Sequence, residues 1–206
     1  MAIEIPEEQR AAATPVVKRQ RIGEKFVGAV VRFEQRGRTK TVNGERVPLM
    51  KNNGKQAQEL VVHCIAMPKT TAYAGIGDDI GVPNPGDPVR LILKGKAFGQ
   101  WIEARKHHRG GRLNVGDVVV QETDVAQAYD SDGNPKGPEM STQEQVDAVL
   151  AKSPRTAIGV YGPITLHEPK DPQWVIVAEN AYKAATEVVL DHGPGGGGGF
   201  DDEEPF

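Results

Sequence analysis

Apolar residues recur in short runs separated by Gly, Pro and charged residues. KFVGAVVRFE (25–34) is rich in Val and Phe and alternates as a strand does. Simple alternation puts Phe33 on one face with Val27 and Val31, a core position. QRGRTKTVNGERV follows, and the Asn43-Gly44 pair predicts a tight hairpin, because both central residues of such a turn need positive φ. KNNGK (51–55) reads as a loop and LVVHCIAM (60–67) as a second strand. PKTTAYAGIGDDIGVPNPGD (68–87) reads as a long irregular loop that carries Tyr73. PVRLILKGKAFGQWIEAR (88–105) reads as two strand pieces meeting near Gly95 to Gly99, and KHHRGG (106–111) as a basic loop.

NVGDVVVQETDV (114–125) adds a strand, and DSDGNPKGPEM (130–140) interrupts the pattern. Ser141 with Glu144 has capping-box spacing and predicts a short helix from Thr142 to Lys152, ended before Pro154. TAIGVYGPITL (156–166) and QWVIVAE (173–179) read as strands, and NAYKAATEVVL (180–190) as a helix. Many short strands, Gly/Pro-rich turns and few helices predict a mainly β fold. A five-stranded barrel of the OB type with one inserted short helix suits the strand count and spacing. The expected organisation is an N-terminal arm (1–20), one domain (21–192) with an insertion at 130–155, and a glycine-rich acidic C-terminal tail (193–206) that is disordered.

Charge changes this picture by its distribution. The net charge is −3, yet Lys18 to Arg112 holds 19 Lys and Arg against 8 Asp and Glu, and Leu113 to the end holds 5 against 17. Such sorting points to a polyanion partner for the basic half. Arg32, Arg36, Arg38 and Lys40 lie in one basic segment, and Lys94, Lys96, Arg105, Lys106, Arg109 and Arg112 in another. Phe33, Phe98 and Trp101 are interleaved with them. Single-stranded nucleic acid asks for this mixture, cations along the phosphates and rings against the bases. These residues, with Tyr73, are the candidate contacts. The competing reading makes Phe33 and Trp101 core residues and the cations a solvated face. Trp174 reads as core.

Enzyme chemistry finds little support. The five histidines, His63, His107, His108, His167 and His192, show neither HExxH nor CxxC spacing, and no nucleophile elbow, phosphate loop or dinucleotide fingerprint is present. No cofactor and no metal are expected. Cys64 is the single cysteine and reads as a small core hydrophobe. No apolar run is long enough to cross a bilayer. MAIEIPEEQR lacks the basic flank and apolar stretch of a secretory signal, so a cytoplasmic location is expected.

The chain ends in GPGGGGGFDDEEPF. Five glycines form a flexible tether. Asp201, Asp202, Glu203 and Glu204 suit a basic groove on a partner, and Pro205 and Phe206 suit an apolar pocket. This ending resembles the C-terminal tip of bacterial single-stranded-DNA-binding proteins, Asp-Asp-Asp-Ile-Pro-Phe, with Glu204 standing where that family has an apolar residue. PGDPVRLILKGKAFGQWIEA is similar to the same family's core stretch at Gly86, Val89, Gly95, Lys96 and Trp101. Asp130 to Leu166 has no counterpart there, so the likeness is to a divergent, phage-type member. It implies an OB fold that coats single-stranded DNA during replication, recombination or repair and recruits partner proteins through the tip. A homo-oligomer is compatible with it. Two other classes stay open: a metal-dependent nuclease using Asp78, Asp79 or the histidines, and a structural or assembly protein of a virion.

Overall fold

A computed structural model describes residues 14–18, 21–51, 53–130 and 135–190. The first strands are β1 (Val16–Lys18), β2 (Lys25–Gly37), β3 (Thr39–Val42), β4 (Glu45–Pro48) and β5 (Gln58–Ala66). β6 (Tyr73–Ile76), β7 (Asp79–Gly81), β8 (Pro88–Lys94) and helix α1 (Lys96–His107) follow. The second half holds β9 (Val118–Glu122), β10 (Val125–Tyr129), α2 (Gln143–Lys152), β11 (Ala157–Tyr161), β12 (Ile164–His167) and α3 (Pro172–Leu190).

Eight strands form one sheet in the order β12-β9-β2-β5-β8-β1-β6-β7. β8 and β12 lie four places apart in that order. Both nevertheless contribute to one core cluster, with Val89, Leu91 and Leu93 from β8 and Ile164 and Leu166 from β12. The sheet therefore curls, and Ala97 and Trp101 of α1 fill its concave side together with Phe26, Val30, Leu60, Val62 and Cys64. Among the described residues the strands do not close into a barrel. α1 packs against both β8 and β12 instead.

On the convex side, Ala178 of α3 packs on Ala29, Val31 and Ile65, with Trp174 and Val177 beside it. The approach is close enough that a Cβ on Gly116 would meet the Val175 backbone at 2.8 Å. β10, β11 and α2 build a small satellite core from Ala126, Ala128, Met140, Val146 and Val160.

The mainly β reading holds, and the Asn43-Gly44 hairpin forms with φ of 51° and 84°. Cys64 is buried, and its thiol is pushed far up from its usual pKa by that burial. Several expectations are corrected. Lys96 to Arg105 is helix, because Gly95 (φ 53°) turns the chain and Ala97, Trp101 and Ala104 then share one helical face. Residues 173–179 are helix too, with Trp174, Val177, Ala178 and Ala181 at helical spacing against the sheet. The 68–87 segment contains the β6–β7 hairpin, and part of the expected N-terminal arm is β1, inserted between β8 and β6. The capping box is one residue later than expected. Thr142 accepts from the Gln145 amide, and the Gln145 side chain accepts from the Thr142 amide.

Candidate functional site

A β-bulge organises the basic half. β2 and β5 pair regularly from Gly28↔Ala66 to Val30↔Cys64, then slip so that Arg32 faces His63. One extra residue reverses the alternation. Phe33, opposite Val62, therefore joins the concave side with Val30, and not the side of Val27 and Val31. Arg32, Glu34 and Arg36 fall on the convex side. The candidate residues thus divide between two surfaces that share the projecting end of β2.

The concave surface is a groove of about 820 Å³ beside α1. Phe33 and Phe98 line it with Ile102, Arg105, Lys106 and Arg112. The Phe33 ring is 37% exposed and tilts 59° against Trp101, with centroids 6.1 Å apart. The Arg105 guanidinium lies 5.3 Å from the Phe33 centroid, and its Nε donates to the Gly111 carbonyl at 2.8 Å. One cation thereby covers the ring and ties down the turn at residues 109–111. Lys106 pairs with Glu103 at 2.7 Å on the surface of α1. Trp101 is only 2% exposed, so it forms the floor beneath Phe33 and offers no face to a base. The core alternative was the right one for Trp101, because its helical register points it at the β8 leucines.

The convex surface carries cross-strand rows. Arg36, Glu59 and Lys94 face one another over β2, β5 and β8, as do Arg32, His63 and Arg90. Glu59 accepts from Arg36 Nε at 2.7 Å and lies 3.3 Å from Lys94 Nζ. Burial alone would raise the Glu59 pKa, but the Arg36 hydrogen bond and the Lys94 charge hold it below the usual carboxylate value. Tyr73 is 38% exposed on β6, opposite Lys18 and on the face away from buried Ala74. Arg38 precedes and Lys40 lies on the β3–β4 hairpin that extends this end of the molecule.

Two candidates are committed elsewhere. Lys96 donates to Glu139 and to the Tyr161 hydroxyl (3.2 Å), which joins α1 to the satellite core. Glu139 first, then Tyr161, pushes the Lys96 pKa up. Arg109 bridges Asp117 (3.5 Å) and Glu168 (3.1 Å). Asp117, 1% exposed, also accepts from the Asn114 amide at 2.7 Å and lies 3.0 Å from His108 Nε2. That buried carboxylate anchors both ends of the basic loop that edges the groove. Sequence reasoning missed Asp117 and Glu59, and it named His63 and Arg90 only as one of five histidines and one of the basic residues. Only strand pairing brings the last three together with Arg32 and Arg36, and no local spacing announces it.

Among the described residues no three His, Cys, Asp or Glu side chains converge as a metal site, Asp78 and Asp79 included. No helix there is long and apolar enough to cross a membrane. The tip candidates Asp201, Asp202, Glu203, Glu204, Pro205 and Phe206 lie outside the described residues, as does the glycine tether. Comparison with known protein families, with curated proteins and with solved structures found no match.

Proposed function

We propose that the chain binds single-stranded DNA without strong sequence preference, along a path that enters the α1 groove and crosses the end of β2 onto the convex face. The observation that carries this is the half-exposed Phe33 ring, backed by Trp101, capped by Arg105 and flanked by Phe98, Lys106 and Arg112 in one groove. A ring held in place by a second ring offers bases a stacking surface, and every base has a π-face. Arginine and lysine around it supply phosphate contacts.

The strand order supports an OB-type ancestry for the central unit. β2, β5, β8, β9 and β12 are five strands with a helix between the third and the fourth, and β2 pairs with both β5 and β9. A partly open five-stranded barrel has this plan. In this reading the seam between β8 and β12 is where it opens, with α1 along it. The acidic tip from Asp201 to Phe206 would recruit replication and recombination proteins, leaving the groove to DNA.

The test is anisotropy of a dye-labelled oligo-dT, titrated across salt with unlabelled duplex as competitor. Tight binding at low salt is expected, with log K falling linearly in log salt and duplex competing poorly. Absence of binding at low salt refutes the proposal. Cleavage of the strand in Mg²⁺ would favour the nuclease instead.

A further inference from the structure

The row Arg32–His63–Arg90 stands apart from the row that holds Glu59. Four residues along β5, beyond the intervening row of Glu34, Val61 and Ile92, Glu59 lies between Arg36 and Lys94 and neutralises much of their charge. In this row the middle residue is His63, and no carboxylate lies between the two arginines. Arg32 is exposed on β2 and has no ion-pair partner among the described residues. Arg90 spends Nε and one Nη on the Thr14 carbonyl, at 3.1 and 2.9 Å, which fixes its direction without cancelling its charge. His63 Nε2 is buried and has no hydrogen-bond partner, and its nearest acid, Glu34 Oε1, is 3.8 Å away. Among the described side chains, the charged groups acting on the imidazole are Arg32 and Glu34 from β2 and Arg90 from β8.

We propose that Arg32, His63 and Arg90 form a phosphate subsite on the convex face whose grip on a phosphodiester tightens as pH falls, because occupancy draws a proton onto His63. This rests on the single-strand reading and extends it to a second surface and a regulation. The empty row disfavours the imidazolium. Burial first, then the Arg32 charge, holds the His63 pKa below its usual value, so the ring is neutral at pH 7. A phosphate seated on the two arginines offsets their field and adds a negative charge beside the ring, which favours protonation. The proton comes from solvent. By linkage, affinity then rises on acidification between the bound-state and free-state pKa values, and levels off outside that interval. The cost falls on the neutral arm: above the bound-state pKa the two arginines hold the phosphate without the third charge.

The test measures oligo-dT affinity from about pH 5.5 to pH 8 for wild type and His63→Gln, using a dye that does not titrate in that range. Wild-type affinity should gain up to about tenfold per pH unit of acidification within the interval. His63→Gln should lose that component and show a shallower slope than the wild type. Calorimetry of the wild type in buffers of different ionisation enthalpy reads proton uptake directly and needs no variant to fold. Uptake on binding, reduced in His63→Gln, supports the subsite. Equal pH slopes in both proteins, or no uptake by the wild type, overturn the subsite while leaving single-strand binding intact. Failure of the wild type to bind at any pH overturns the parent reading and the subsite with it.

Discussion

Replacing Phe33 with alanine separates a stacking surface from an ordinary surface ring. The ring is held by Trp101 at 6.1 Å and lies 5.3 Å from the Arg105 guanidinium, so it is in place before any ligand arrives. Loss of one stacked base costs about 1–3 kcal/mol by alanine substitution. That is about 5- to 150-fold in Kd, since each 1.4 kcal/mol or so is tenfold. The fold should survive. The ring pair contributes about 0.5–1.5 kcal/mol beyond burial, and the cation contact about 0.5–1 kcal/mol. Phe33 is 37% exposed, so burial adds about two-thirds of the roughly 1.5–3 kcal/mol for a fully buried Phe, and the total stays below the roughly 5–15 kcal/mol that holds a domain together. Anisotropy titrations of oligo-dT at several salt concentrations, beside thermal unfolding by circular dichroism, read both quantities. Phe33→Ala should shift the line of log K against log salt downward and leave its slope alone, because the ring neutralises no phosphate. Phe33→Leu should lose nearly as much, since it keeps bulk and loses the π-face. A folded Phe33→Ala protein with wild-type affinity would refute the stacking argument.

Legibility followed the range of the interactions involved. β2 and β5 could be read because Val, Ile and Phe alternate over many residues, and the β3–β4 turn because Asn43-Gly44 meets a local backbone demand. α1 was misread because glycines at 95 and 99 mask the apolar spacing of Ala97, Trp101 and Ala104. Gly95 turns the chain at the start of the helix, and Gly99 sits inside it. QWVIVA in α3 is apolar enough for a buried strand, and periodicity alone cannot separate the two over so short a run. The bulge was beyond reach. Nothing in VVRF says that the ladder gains a residue after Val30, yet that residue decides which side Phe33 joins and which side Arg32 joins. The grouping of cations by sequence segment failed for the same reason. Lys96 and Arg105 are nine positions apart on one helix, but Lys96 meets Glu139 while Arg105 covers Phe33.

Arg112→Gln removes a groove cation and should lower the slope of log K against log salt by about 0.7 on a single strand, an unchanged slope showing that Arg112 touches no phosphate. Gly75→Ala should destabilise the sheet edge, visible as a lower thermal midpoint, because a Cβ there would overlap the Asp79 carbonyl of the β6–β7 hairpin. The convex face makes the sharpest statement about pH through Glu59. Its folded-state pKa lies below the ordinary carboxylate value, because the Arg36 hydrogen bond and the Lys94 charge outweigh its burial. A depressed carboxylate stabilises the fold above its unfolded pKa, near 4.3 for Glu, and that stabilisation is lost as pH falls through the folded value. Wild-type unfolding free energy should therefore decline between about pH 5 and pH 3, and Glu59→Gln should decline less over the same interval. At neutral pH the same variant leaves Arg36 and Lys94 without their shared acid, so the convex face gains positive charge and oligo-dT should bind at higher salt. Parallel stability curves on acidification would mean that the pairing seen across β2, β5 and β8 carries no net energy. Unchanged salt resistance would mean that the strand does not pass over this row.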